Sequence, residues 1–168
     1  MKEEIERRKA LETFPAFPCV MVTCQENIIT IGMVHIFSFS PPLVGIGVHP
    51  SRFSFQLLKS AKEYVINIPT KELLKAVNFC GEKSGREFDK FSTTGLTKEK
   101  SLRLKTPAIL ECPINIECRV IKEIEIGDHT WFIGEVKACR VKKEIKPEEL
   151  LLYWARKYWT LGEKIEER

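Results

Sequence analysis

The sequence predicts a mainly β domain with inserted helices, an α+β fold built on an antiparallel barrel. Three observations carry this: about six short apolar runs have strand character, helical patterns fall between them without regular βαβ alternation, and the two longest alternating runs flank a Gly-Asp turn. A chain of 168 residues without a Pro/Gly/Ser-rich linker is read as one domain over 1–168.

Ile5 and Leu11 among the charges of residues 2–12 suggest a short amphipathic helix or an ordered tail. Residues 19–24 are β-branched and apolar, Gln25-Glu26-Asn27 offers a turn, and a second run extends from Ile28 to Phe39, so two antiparallel strands are expected. Pro41-Pro42 punctuates the chain before a third strand over 43–48, where Gly45 and Gly47 allow close approach to the backbone. Ser51 is placed as a helix N-cap, with Phe53, Leu57 and Leu58 at helical spacing through Ser60. Residues 64–68 read as a strand, and Pro69-Thr70 as the entry to a helix through Leu73, Leu74 and Val77 that ends at Cys80-Gly81.

Beyond a polar stretch from Glu82 to Lys105, Ile114, Ile116, Cys118 and Val120 alternate in one run and Phe132, Gly134, Val136 and Ala138 in another. With Gly127-Asp128 between them they predict a long hairpin. From about residue 147 the pattern turns helical, with Pro147 in the first turn and Leu150, Leu151, Trp154 and Tyr158 on one stripe.

The net charge of +4 comes from 27 basic and 23 acidic residues intermixed along the chain, which is a solvated surface and not a nucleic-acid stripe. The amino terminus is charged and no apolar stretch is long enough for a membrane span or a signal-peptide core, so a cytoplasmic protein with no membrane partner is expected. Six cysteines without a Cys-x-x-Cys pair read as buried reduced thiols. His35, His49 and His129 lie far apart, and neither a zinc spacing, a Gly-x-Ser-x-Gly elbow, a Rossmann fingerprint nor a Walker loop occurs.

Two segments remain as candidate sites. Pro50-Ser51-Arg52-Phe53-Ser54 joins a predicted helix N-terminus to two hydroxyls and a guanidinium, the groups that a phosphate needs, although an ordinary capped helix with a solvated arginine has the same residues. Residues 80–91 pack charges, glycines and two phenylalanines into what, taken alone, is a surface loop.

Taken together the segments resemble a known family. The series 27–38, Pro41-Pro42-Leu43-Val44, Pro50-Ser51-Arg52 and Tyr64-Val65-Ile66-Asn67 is similar to the flavin reductase-like FMN-binding split-barrel family. Cys80-Gly81, Ser84-Gly85-Arg86, Asp89-Lys90-Phe91, Glu117-Cys118-Arg119 and Gly127-Asp128-His129 resemble its flavoredoxin branch, in the same order. The resemblance implies FMN at the interface of a homodimer. It places Asn27 and the backbone of Thr30, Ile31, Gly32, Met33, Val34 and His35 against the flavin, and Ser51, Arg52 and Ser54 at its phosphate end. Ser84 joins these contacts, and Lys90 and His129 take the polar edges of the ring. Met33 stands where relatives often carry an aromatic residue, which makes Tyr158 or Trp159 the candidate cover for the ring.

The function so implied is an oxidoreductase in which NAD(P)H reduces FMN and electrons pass to free flavin, a small molecule or a protein. Its rival is an FMN electron carrier with no nicotinamide site. A third class, a single-stranded nucleic-acid-binding barrel with Phe37, Phe39, Phe88 and Phe91 as a stacking platform, is disfavoured because the basic residues do not cluster.

Overall fold

The computed structural model describes residues 3–166. In chain order it contains α1 (Arg7–Ala10), β1 (Phe17–Pro18), β2 (Val20–Cys24), β3 (Asn27–Ile31), β4 (Val34–Phe39), β5 (Pro42–Val48), α2 (Phe53–Ala61) and β6 (Glu63–Ile68). There follow α3 (Leu74–Glu82), α4 (Lys90–Thr94), β7 (Lys98–Glu99), β8 (Ala108–Ile109), β9 (Ile114–Ile126), β10 (His129–Val141), β11 (Leu152–Trp154) and β12 (Lys157–Trp159).

Seven strands form one antiparallel sheet in the order β3-β2-β6-β9-β10-β5-β4. Strands β3 and β4, consecutive in sequence, therefore lie at opposite edges of it. The run from Ile28 to Phe39 is not one strand, as its unbroken apolar character suggested, but two strands parted at Gly32-Met33. Gly47 donates its backbone N–H to the Met33 carbonyl at 2.8 Å, so the connection is pinned to β5 where the sheet curls round on itself. This is a barrel split along one seam, and the chain crosses the seam at Gly32-Met33.

One core cluster gathers Val20, Val22, Ile29, Ile46, Leu58, Tyr64, Ile66 and Phe132, and a second joins Met21, Ile28, Val77, Cys80, Phe91 and Ile109. Strand β2 serves both, which is why Val20–Cys24 is buried throughout and shows no polar alternation. The long hairpin is as expected, with β9 and β10 paired from His129↔Ile126 to Val141↔Ile114 around Gly127, whose φ of 62° suits glycine. Five cysteines are buried and all six are free thiols.

Two terminal expectations are corrected. At the amino end, helix is confined to Arg7–Ala10 and a 3-10 turn over Leu11–Thr13, with no residue buried; Leu11 has no core to pack against, and Lys2 lies outside the described residues. The segment from 147 is not a helix. Pro147 starts only a 3-10 turn, after which β11 and β12 form a hairpin through Ala155 and Arg156, both at positive φ. Tyr153 pairs with Tyr158 across it at 5.3 Å between ring centroids, and Trp154 meets Trp159 on the diagonal at 5.8 Å. Cross-strand aromatic pairs and docking of β11 on β1 outweigh the weak helical stripe.

Candidate functional site

The seam of the barrel carries a cleft with three continuous compartments. The first, of about 270 Å³, is polar and lies between the start of β3, the start of α2 and the loop after α3. The second, of about 410 Å³, runs along residues 29–33 and 47–49 and has His129 in its wall. Ser51 and Arg52 line both. The third, of about 610 Å³ and mostly apolar, begins at Gly32 and Met33 and spreads over His35, Phe37, Trp131 and Tyr153.

The polar compartment is built for an anion. Helix α2 begins at Phe53, later than the Ser51 cap expected from sequence, with Arg52 in the cap position and no side chain capping the first turn. Its free backbone N–H groups and positive dipole end face the compartment. Ser51 is drawn elsewhere: its N–H donates to His49 Nδ1 at 3.2 Å, and the hydroxyl lies 2.8 Å from the same nitrogen. Ser54 is buried, with its Oγ accepting from Asn27 Nδ2 at 2.8 Å.

Lys90 forms the floor and is only 3% exposed. Its ammonium donates to the carbonyls of Ile28 at 2.7 Å and Cys80 at 2.8 Å, which leaves one of its three N–H groups for a ligand. Burial pushes its pKa down to about 8; the Cys80 side chain opposes the shift and the nearby Arg52 guanidinium adds to it. The position follows from Asp89, which caps α4 by accepting from the Ser92 N–H and so turns Lys90 inward at the first helical residue. Arg52, Lys83, Arg86 and Lys90 outweigh Glu82 and Glu87 here, a balance suited to a dianion.

The slot offers main chain and two histidines. Thr30 gives its hydroxyl to the Val77 carbonyl at 2.6 Å, so β3 is tied to α3 and only its backbone is presented. A Cβ at Gly47 would come within 3.1 Å of the Met33 side chain, so glycine keeps this wall thin. His129 pairs through Nδ1 with Asp128 Oδ1 at 2.6 Å, and its hydrogen bond and charge hold the Asp128 carboxyl below its usual range. The His49 ring meets it edge-on at 5.5 Å.

The structure thus brings Asn27, Ser51, Arg52, Ser54, Ser84 and Lys90 into one compartment. Thr30, Ile31, Gly32, Met33 and His129 line the next. Val34 and His35 lie past the seam on β4, in the apolar compartment. Lys90 falls with Arg52 and not beside His129. Trp159 lines none of the three: its indole donates to the Trp154 carbonyl within the terminal hairpin, and Tyr153 reaches the cleft instead. Sequence reasoning missed His49, whose signal was its place two residues before Ser51, and gave no role to Arg86, although it stood in the Ser-Gly-Arg segment of the candidate loop.

A split antiparallel barrel with an anion pocket opening onto a backbone-lined slot and an apolar mouth is a barrel protein with a cleft of small-molecule size. Residues 12–162 match the flavin reductase-like domain, and the chain belongs to that family. An uncharacterized protein of Archaeoglobus fulgidus is 44% identical over 110 residues, which cover 66% of this chain and 62% of that protein, less than two thirds of its length. Among solved structures, flavoredoxin of Desulfovibrio vulgaris (Miyazaki F) superposes with a TM-score of 0.89 at 22% identity, covering 99% of this chain and 97% of that one. An FMN-binding protein from Thermus thermophilus gives 0.88 at 20% identity, covering 100% and 99%. The mainly β fold and the family expected from sequence both stand. No described helix is long and apolar enough to cross a membrane.

Proposed function

We propose that the cleft binds FMN and that the protein is an oxidoreductase of the flavin reductase and flavoredoxin kind, taking electrons from NAD(P)H and passing them to a small-molecule or protein acceptor. The observation that carries this is the pairing of Arg52 and buried Lys90 with the uncapped start of α2, at the mouth of a slot walled by main chain. A phosphate fits the first and a flat ring system the second.

Bound FMN would supply the redox chemistry, accepting a hydride equivalent from the nicotinamide and releasing electrons to the acceptor. The chain's residues bind and orient. Arg52, Ser54 and Lys90 would hold the phosphate, and the backbone of residues 30–33 would face one ring edge. His129, oriented by Asp128, would hold or donate a proton where it lines the slot. Phe37, Trp131 and Tyr153 would keep water from the apolar compartment, where a nicotinamide or acceptor has room.

A homodimer belongs to this proposal. Met33, Ile36, Phe37 and Phe39 are exposed at the seam and along edge strand β4, an apolar border that a second copy would cover. The absorbance spectrum of the gently purified protein tests the flavin, and aerobic NADH and NADPH oxidation tests the donor. Bound FMN with neither nucleotide oxidised, but with electrons exchanged with a reduced partner, would favour the carrier reading.

A further inference from the structure

We infer that the loop between α3 and α4, closed on Asn27 and Phe53 through Gly85 and Arg86, is a partition that ends the anion compartment after one phosphate and so selects FMN over FAD. The inference rests on the proposed reading of the cleft as a flavin site and adds a specificity determinant to it.

The loop is held at both ends and within itself. Lys83 N–H donates to the Phe79 carbonyl at 2.9 Å, Glu87 and Phe88 N–H donate to the Ser84 carbonyl at 3.1 and 3.2 Å, and Arg86 N–H donates to Ser84 Oγ at 3.2 Å. Phe88 packs edge-on against Phe79 at 5.5 Å. So fixed, the loop lies across the strand β3 and helix α2 origins with no space to spare. A Cβ at Gly85 would stand 2.0 Å from Asn27 Oδ1 and 3.1 Å from the Phe53 ring. Gly85 does not have a positive φ, so close approach and not backbone conformation is what calls for glycine there. Next to it the Arg86 guanidinium covers the Phe53 ring at 5.3 Å.

Beyond this contact lies another hollow, of about 370 Å³, with Leu57, Phe88 and Lys98 in its wall. Asn27, Phe53, Gly85, Arg86 and Glu87 line both hollows, so they are the wall between them. A terminal monophosphate stops at that wall. The diphosphate and adenosine of FAD need a path onward, which the Gly85 contact blocks. Specificity here is repulsion of the larger ligand, not stronger attraction for the smaller.

The test is a fluorescence titration of the full-length protein with riboflavin, FMN and FAD, repeated for Gly85→Ala and Arg86→Ala. Wild type should bind FMN more tightly than FAD by on the order of tenfold or more. Gly85→Ala forces the loop off Asn27 and should bring that ratio close to one with riboflavin affinity kept, and Arg86→Ala should move it the same way by a few fold. If the alanine at 85 prevents folding, Arg86→Lys, which keeps the cation of the compartment but not the flat guanidinium cover on Phe53, decides: a lowered ratio supports the partition and an unchanged one overturns it. Equal wild-type affinity for FMN and FAD overturns the partition and leaves the FMN site standing. A ratio that neither variant moves also overturns it, as does an equal loss for all three flavins. Binding of none of them by the wild type overturns the flavin reading, and the partition with it.

Discussion

The Lys90 ammonium donates to the carbonyl of Ile28 at 2.7 Å, which places a charge carried by the short helix α4 beside the starts of strand β3 and helix α2. A buried cation is costly unless it is paired, and here two carbonyls satisfy it only in part. An arriving phosphate dianion would complete the pairing. Lys90→Met, which keeps the length of the side chain, should therefore weaken FMN by on the order of tenfold or more while changing riboflavin little, because a charge-assisted contact contributes about 1.5–3 kcal/mol. Arg52→Ala should act in the same sense, more weakly, since Arg52 is exposed. Parallel titrations with the two flavins measure both, and equal losses would remove these side chains from the phosphate.

Affinity should also depend on pH, and the sign follows from the lysine. Burial pushes Lys90 down to about 8, so the free protein carries the ammonium below that pH and a neutral amine above it. The dianion prefers the charged form, so binding raises the lysine's pKa and takes up a proton in alkaline solution. FMN affinity should be full near about pH 7, where the phosphate is already doubly ionised, and should fall as pH rises through about 8. The Cys80 thiol, pushed up to about 11, stays neutral in this window. Lys90→Met should flatten the profile, and a slope unchanged in that variant would assign the proton to another group.

How far these features could be read from sequence depended on whether the local signal agreed with the tertiary one. The β9–β10 hairpin was plain because alternation and the Gly127-Asp128 turn point the same way. The β3–β4 break was hidden, since the apolar run continues through Gly32-Met33 and only the sheet order reveals the crossing. The anion site was half legible: Arg52 and Ser54 belong to a recognisable helix start and the resemblance named Lys90, but five residues between Asp89 and Gly95 are too short for a helical period to show that the lysine turns inward. At the carboxyl end, two positive-φ residues without a glycine disguised a hairpin turn.

The same polar stretch explains a stability prediction. Glu117, buried on β9, accepts from the backbone N–H groups of Leu102 and Arg103, each at 2.7 Å, and buried Glu63 does the same for Lys105 and Thr106, each at 2.8 Å. Two carboxylates thus organise a segment that has little apolar content of its own. Glu117→Ala leaves two N–H groups without their acceptor and should lower unfolding stability by about 3 kcal/mol, with new proteolytic cleavage near residues 100–104. Urea denaturation measures the first effect and limited proteolysis the second. A variant as stable as wild type would mean that water replaces the carboxylate.

The proposed dimer can be tested at edge strand β4, where Phe39 is 85% and Ile36 53% exposed. An edge strand with bulky apolar side chains and few charges is open to association unless something covers it. The apolar compartment beside it is walled by Phe37, Trp131 and Tyr153. A second copy would cover both at once, which predicts a homodimer in light scattering and loss of it in Phe39→Asp and Ile36→Asp. Neither side chain packs in the buried core, so the monomer should remain folded, and its circular dichroism should be unchanged. Losing the partner opens the apolar compartment that adjoins the ring slot at Gly32 and Met33 to water, so FMN should bind more weakly, by on the order of tenfold, although its phosphate contacts are intact. Riboflavin should weaken in parallel with FMN, since both share the ring. A monomeric wild type with full FMN affinity would overturn the dimer, whereas dimers that survive both aspartates would place the interface on another face.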